Sequence, residues 1–140
     1  MDHNLRLLGM AKKAALLAVG FEDTSKAMLM NKAQLVLSAS DASEGSKRRA
    51  RENAQSCGVI YAEIPYTMME LGTITGRGSP GTLAILEPGL AAGFLEGLAK
   101  TNPELYEEKA THMSEKAKRV NTQKKSDSAK QLAGKRRFAL

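Results

Sequence analysis

Short apolar stretches alternate with helix-forming stretches along the first hundred residues, and this alternation restricts the possible folds most strongly. Three stretches, Leu35–Leu37, Val59–Ile64 and Thr82–Leu86, have the length and apolar character of buried strands. A fourth apolar stretch, Ala15–Val19, fits either a brief strand or the end of the first helix. Because helices are predicted between the strands, the chain is predicted to be an α/β protein with helices on the faces of a sheet.

The helices are predicted from their start signals and apolar spacing. The first covers about residues 4–13 and the second about residues 22–30. Asp41 and Glu44 have the spacing of a capping box, which predicts the start of a third helix that stops at Gly58. Two further helices are predicted to start at Pro65 and at Glu87.

The positive charge of the chain is concentrated at its C-terminal end. The net charge is +6, yet residues 1–99 contain as many basic as acidic residues, so the whole excess lies in residues 100–140. We therefore predict one domain at residues 1–99 and a basic C-terminal extension at residues 100–140, partly helical over 103–119 or disordered. Concentrated positive charge favours a polyanionic partner such as a nucleic acid. The other interpretation is a disordered end that increases solubility.

The cysteine and histidine content argues against several classes of protein. Cys57 is the only cysteine, so an intramolecular disulfide is impossible. We interpret Cys57 as a small core residue, and we expect Met68 and Met69 in the core as well. His3 and His112 lie in separate segments without the spacing of metal ligands. No nucleophile–base pair or carboxylate pair stands out, so we expect no metal, no cofactor and no enzymatic activity.

Two observations bear on location. No apolar run approaches the ~18 residues of a membrane-spanning helix. The first four residues lack the basic-then-apolar order of a signal peptide. We therefore expect a cytoplasmic protein without a membrane partner, and we expect it to be a monomer.

Three motifs in register resemble a known family. They are Leu8–Ala15, Leu35–Ser43, and the group formed by Glu70–Gly72, Gly76 and Leu83–Ile85. Their order and spacing are similar to those of the kink-turn-binding large-subunit ribosomal proteins of archaea and eukaryotes (the L-seven-Ae type), with the bacterial YlxQ-type branch closest. The resemblance implies a three-layer α-β-α sandwich with a mixed four-stranded sheet. It also implies binding of sharply bent, structured RNA, including ribosomal RNA.

The resemblance implies an RNA-binding site at the start of the second helix. The family pattern Gly-x-Asn-Glu-x-x-Lys is met here by Gly20, Glu22, Asp23 and Lys26. Asp23 replaces the family Glu and could accept hydrogen bonds from a guanine edge, while Lys26 could reach a phosphate. Glu22 replaces Asn and can only accept hydrogen bonds. The structural interpretation is that Glu22 and Asp23 are ordinary first-turn acids that suit the helix dipole.

The family places a second RNA contact in the loop before the last strand, which here is residues 76–81. Arg77 could meet a phosphate, and Gly78 would allow close approach of RNA to the backbone. The letters G-x-G-x-x-G in this loop do not indicate a dinucleotide site, because the loop follows a helix and precedes a strand. The alternative is a flexible Gly/Pro turn without a ligand.

The residues just before Gly20 depart from the family. Lysines often occur near positions 16, 18 and 19, whereas this chain has Leu16, Ala18 and Val19. Each lost phosphate contact removes affinity and salt sensitivity. If these three residues form an apolar surface, the fold could instead be a protein-interaction module that contacts RNA only through its basic tail.

Two other features have open interpretations. The basic cluster Lys47, Arg48, Arg49 and Arg51 fits a solvated helix face or a secondary ribosomal RNA contact. Phe21 could stack on a base or pack beneath its helix.

Overall fold

The structure, a computed structural model, describes residues 2–119. Within them, helices and strands alternate as the sequence predicts, and residues 103–119 add a sixth helix, α6. The other elements are α1 (His3–Lys13), β1 (Leu17–Val19), α2 (Phe21–Leu29), β2 (Leu35–Ser38), α3 (Glu44–Ser56), β3 (Ile60–Glu63), α4 (Met68–Thr75), β4 (Thr82–Ile85) and α5 (Pro88–Thr101).

The four strands form one mixed sheet in the order β1-β4-β2-β3. The β2–β3 pair is parallel, and β4 is antiparallel to both β1 and β2. The ambiguous stretch before Gly20 is therefore the short edge strand β1 rather than the end of a helix. Because β1, β2 and β3 all run in one direction, their carboxyl ends lie at the same edge of the sheet as the start of β4.

Helices cover both faces of the sheet, which confirms the predicted three-layer α-β-α sandwich. One face packs on α2 and α3 and is lined by small residues, with Ala18 opposite Ala84 and Ala84 opposite Val36. The other face packs on α1, α4 and α5 through larger side chains such as Leu37, Leu83 and Phe94. Since β2 and β4 are buried on both faces, they are apolar along most of their length rather than alternating.

The start of α3 differs from the prediction. Ser43, not Asp41, is the N-cap, and its hydroxyl accepts a hydrogen bond of 3.1 Å from the Ser46 amide. The predicted Asp41–Glu44 capping box is therefore wrong. Asp41 accepts a 2.8 Å hydrogen bond from the Met68 amide instead, which ties the end of β2 to the start of α4.

The helix at residues 103–119 packs against the domain. Its buried side chains have helical spacing and belong to the larger core; they are Tyr106, Ala110, Met113 and Ala117. The Tyr106 hydroxyl donates a 2.7 Å hydrogen bond to the Glu63 carbonyl oxygen at the end of β3. The predicted helix at 103–119 is thus present. The predicted domain boundary at residue 99 falls inside α5, which ends at Thr101. Independent folding of residues 1–99 stays a prediction. The predicted state of the extension after residue 119 lies outside the described residues.

Two side chains predicted in the core lie at the surface. Cys57 is exposed at the end of α3, where it is the C-cap residue. Met69 is 75% exposed on α4, whereas its neighbour Met68 is half-buried against the core. The two methionines are consecutive in a helix and therefore point about 100° apart, so only one of them can face the sheet.

Candidate nucleic-acid interface

The sheet brings the two predicted RNA-contacting segments together. Gly20 follows β1, Thr82 begins β4, and the Gly20 amide donates a 2.9 Å hydrogen bond to the Thr82 carbonyl oxygen. Because β1 and β4 are antiparallel neighbours, the start of α2 lies beside the loop at residues 76–81.

The start of α2 exposes backbone donors. Gly20 is the N-cap, with φ 93° and ψ 162°, and no side chain caps the helix. The Thr24 amide already reaches back to the Gly20 carbonyl oxygen at 3.1 Å, whereas the amides before it precede the first helical hydrogen bond. A non-glycine residue would be strained at this φ. The uncapped amides and the helix dipole favour an anion at this place.

Arg77 and Asp23 join the loop to the helix. The Arg77 Nη1 atom lies 3.8 Å from the Asp23 Oδ2 atom, and both side chains are about half exposed. That separation is too long for a hydrogen bond, and an exposed pair of this kind contributes at most about 1 kcal/mol. The pair therefore keeps the Arg77 and Asp23 side chains close together, yet it is weak enough for either side chain to bind another group instead.

The loop is positioned by close backbone packing. Thr67 and Glu70 form a capping box that fixes the start of α4, and Gly76 ends the helix in the left-handed conformation. On the side of α4 that faces the loop, Gly72 packs directly on the Gly78 backbone, so that a Cβ atom at position 72 would overlap the Gly78 carbonyl group. The loop thus has a defined place despite its glycines, and the prediction of a merely flexible turn misses this contact.

The remaining predicted site residues lie on the same helix. Glu22 and Lys26 are exposed on α2, and Asp23 is half exposed. The structure therefore brings Gly20, Glu22, Asp23 and Lys26 into one surface patch with the loop residues; we call this patch the α2/loop face, and its loop members are Arg77 and Gly78. Its charged side chains have both signs, so it offers acceptors for base edges as well as cations for phosphates.

Arg49, a member of the basic cluster on α3, is a neighbour of this face through a contact that the sequence does not predict. Its guanidinium carbon lies 4.7 Å from the centroid of the Phe21 ring, within the range of a cation–π contact. Phe21 is half-buried, and one face of its ring is covered by Arg49. Residues 21 and 49 are on different helices, so only the packing of α2 against α3 shows this contact.

The basic cluster on α3 has members with different environments. Lys47 is buried, donates a 2.9 Å hydrogen bond to the Ser40 carbonyl oxygen and lies 3.8 Å from both Glu44 and Glu63. The interpretation of four solvated cations on one face is therefore wrong for Lys47. Arg48 and Arg51 are exposed.

The residues that replace the family lysines do not form an apolar surface. Ala18 and Val19 are buried within β1, and Leu16 is half-buried against the core. The proposed protein-interaction surface built on these residues is thus wrong, because these side chains stabilise the edge of the sheet.

No helix within residues 2–119 is long and apolar enough to cross a membrane.

Comparisons with known proteins agree with this architecture. The sequence profile described as the ribosomal protein L7Ae/L30e/S12e/Gadd45 family matches residues 3–92. A solved structure of a protein with unknown function from Bacillus halodurans is similar with a TM-score of 0.63 and 23% identity, over 69% of this chain and 97% of that one.

A second solved structure, the Giardia lamblia 15.5kD RNA binding protein, is similar with a TM-score of 0.54 and 21% identity, over 69% of this chain and 82% of that one. A comparison with curated protein sequences finds no match. The family profile covers more than half of the chain, including the start of α2 and the loop before β4. The chain therefore belongs to the ribosomal protein L7Ae/L30e/S12e/Gadd45 family.

Proposed function

We propose that this protein binds a sharply bent structured RNA, of the kink-turn type, with the α2/loop face. The observation that carries the proposal is the Arg77–Asp23 contact of 3.8 Å, which joins the two segments on one surface. Membership of the family and the similarity to an RNA-binding protein support it. We further propose that the protein acts without catalysis, in the cytoplasm, as a monomer on ribosomal RNA.

Each side chain has a role that follows from its chemistry. The Asp23 carboxylate accepts hydrogen bonds from a guanine edge, which offers N–H donors. Arg77 then leaves Asp23 and pairs with a phosphate, an exchange that costs little because the exposed ion pair is weak. Lys26 lies one helical turn after Asp23, where its exposed ammonium group contacts a second phosphate.

The backbone supplies the rest of the contact. The uncapped amides after Gly20 donate to a phosphate oxygen. The left-handed Gly78, with φ 40°, carries no side chain at the exposed tip of the loop, so the strand of RNA can approach the backbone closely.

The test compares a kink-turn RNA with a straight duplex of equal length, by fluorescence anisotropy at two salt concentrations. We expect the full-length protein to prefer the kink-turn RNA at both. Equal affinity for the two RNAs would refute shape-specific recognition.

Two variants locate the contact. Lys26→Ala should weaken binding and lower the slope of log K against log salt by about 1, because one phosphate contact is lost. Lys32→Ala is the matched control, since Lys32 is an exposed lysine just after α2 and outside the face. A loss of equal size in both variants would show that only net charge matters.

A protein that lacks residues 120–140 separates this face from the basic extension. The truncated protein keeps α6 and the whole described domain. We expect it to bind more weakly and with a smaller salt slope, yet to keep its preference for the bent RNA. Loss of all preference would assign recognition to the extension instead.

A further inference from the structure

A cavity of about 690 Å³ lies between the carboxyl end of β3 and α6. This volume falls in the range of roughly 300–1,000 Å³ that is typical of small-molecule sites. Its lining includes two tyrosines and two cations from three different elements, namely Arg51 of α3, Tyr61 of β3, and Tyr106 and Lys109 of α6. None of these residues belongs to the α2/loop face.

The cavity has an excess of positive charge. Among residues 2–119, neither Arg51 nor Lys109 forms an ion pair, whereas the one acid in the lining, Glu63, lies 3.8 Å from the Lys47 ammonium group. Lys47 is shared between Glu63 and Glu44, so Glu63 is compensated only in part from outside the cavity, and the lining keeps one positive charge in excess. Burial lowers the pKa of Lys109 below its ordinary value, with Glu63 and Glu108 acting in the opposite direction. An incoming anion would remove this cost of burial.

The aromatic side chains provide flat surface in the cavity wall. The Tyr106 hydroxyl is engaged with the Glu63 carbonyl oxygen at 2.7 Å, which fixes that ring against the end of β3. The Tyr61 hydroxyl is buried beside the Ser38 hydroxyl, and burial raises the pKa of Tyr61, so the group stays protonated. Tyr61 therefore contributes its ring, and not its hydroxyl, to the cavity wall.

We propose that this cavity binds a single nucleotide, with the base against the tyrosines and the phosphate between Arg51 and Lys109. Planar bases stack on aromatic side chains. Guanidinium and ammonium groups are the usual partners of phosphate.

The nucleotide is either a free mononucleotide or an unstacked residue of a bound RNA, and position favours the second source. This part of the inference rests on the proposed function. The carboxyl end of β3 is at the same edge of the sheet as the start of α2. Three strand spacings of about 4.8 Å place β3 only about 14 Å from β1, so a few nucleotides can span the distance.

The test is an NMR titration of the full-length protein with AMP and UMP, with the corresponding nucleosides and with inorganic phosphate. We expect the nucleotides to shift the backbone amides of Thr101, Asn102 and Lys109, which belong to the cavity wall. Nucleosides and phosphate should each bind more weakly than the nucleotides. If neither a nucleotide nor RNA shifts these amides, the proposal is overturned.

A double variant identifies the phosphate contact. Arg51→Gln with Lys109→Gln should weaken nucleotide binding roughly tenfold or more, because two charge-assisted contacts are lost. Arg48→Gln with Lys100→Gln is the matched control, since it removes one exposed cation from α3 and one from α5 outside the cavity. Equal losses in both double variants would overturn the assignment in favour of net charge.

Tyr61→Ala tests the contact between the base and the Tyr61 ring. It should weaken nucleotide binding roughly fivefold or more, whereas Tyr61→Phe, which keeps the ring and removes only a buried hydroxyl, should leave the affinity unchanged. Equal affinity of the two variants would overturn stacking on Tyr61.

Titrations with kink-turn RNA distinguish a free nucleotide from a nucleotide of a bound strand. They also distinguish failure of the cavity proposal from failure of the proposed function. If kink-turn RNA shifts the cavity amides and free nucleotides do not, the nucleotide belongs to a bound strand. If RNA binding is lost in Lys26→Ala but unaffected by the Arg51/Lys109 double variant, the cavity proposal fails while the proposed function stands. If nucleotides bind in the cavity but the protein binds no RNA, the cavity proposal stands and the proposed function fails.

Discussion

Gly72→Ala tests whether the loop of the α2/loop face is held by its contact with α4. An alanine Cβ would lie 2.8 Å from the Gly78 carbonyl carbon, whereas ordinary contacts of a Cβ atom are 3.4–4 Å. The loop must therefore retreat by at least 0.6 Å at this atom, and by more at the carbonyl oxygen. Overpacking of this kind costs about 1–3 kcal/mol. The helix propensity of alanine returns up to about 1 kcal/mol, so we expect a net loss of about 1 kcal/mol.

The effect on binding should exceed the effect on stability. The displaced loop carries Arg77 and Gly78 away from the start of α2, and we expect affinity for kink-turn RNA to fall about tenfold, which corresponds to 1.4 kcal/mol. Urea unfolding and fluorescence anisotropy measure the two quantities on the same preparation.

Gly93→Ala is the matched control for Gly72→Ala. It is the same change within a helix, but its Cβ would meet only the Leu7 Cδ1 atom at 3.9 Å, an ordinary contact. We expect this variant to gain about 0.5–1 kcal/mol and to bind RNA normally. If Gly72→Ala matches Gly93→Ala in both stability and affinity, the close backbone contact does not position the loop.

Three further predictions concern the body of the domain. Met113→Ala should lower the free energy of unfolding in urea by about 2–5 kcal/mol, because Met113 is fully buried. Met10→Ala is the control, and at this 65% exposed position it should change the free energy by less than about 0.5 kcal/mol. Similar losses in the two variants would contradict the packing of α6. Burial raises the pKa of Tyr66 from 10.0 to about 12, so the unfolded state ionises first, and stability is retained below pH 10 and lost as the pH rises to about 12. Tyr66→Phe should reduce this alkaline loss, and an unchanged pH profile would refute the assignment. Cys57 is exposed, so one thiol per chain should react with a thiol reagent in the absence of denaturant. Reaction only after unfolding would show that the Cys57 side chain is buried.

The strands β2 and β4 were predictable because burial on both faces makes them apolar along most of their length. Residues 35–37 and 82–86 can be recognised from the chain alone for this reason. β1 was ambiguous because a strand of three residues gives too little periodicity to separate it from a helix end. The α3 cap was misplaced because Asp41 and Ser43 are both capping residues two positions apart, and tertiary structure assigns Asp41 to the Met68 amide.

The packing of α6 against the domain is indicated in the sequence by apolar residues at helical spacing, but the many charged residues of this segment obscure the pattern. Tyr106, Ala110 and Met113 recur at helical spacing, but charged residues surround them. The same limit applies to Lys47, whose burial depends on the Ser40 carbonyl oxygen and the carboxylates of Glu44 and Glu63. A single sequence does not show such partners.

The site residues were predictable in kind but not in arrangement. Gly20, Asp23 and Lys26 follow from a local motif, since residues of one helix have fixed relative positions. Arg77 is more than fifty residues from Asp23 in the chain. Their contact depends on the order β1-β4-β2-β3, which comes from the fold and not from the spacing of the two segments.

The position of α6 also bears on self-association. β3 is an edge strand, and an edge strand offers unpaired backbone groups that can template pairing with another chain. The Tyr106 hydroxyl already occupies the Glu63 carbonyl oxygen at the end of this edge, and α6 is anchored beside it by Met113. This contact removes one of the backbone acceptors that an added strand would need at the end of β3. Cleavage between α5 and α6 would free that acceptor, so we expect the cleaved protein to self-associate through this edge more readily than the intact protein.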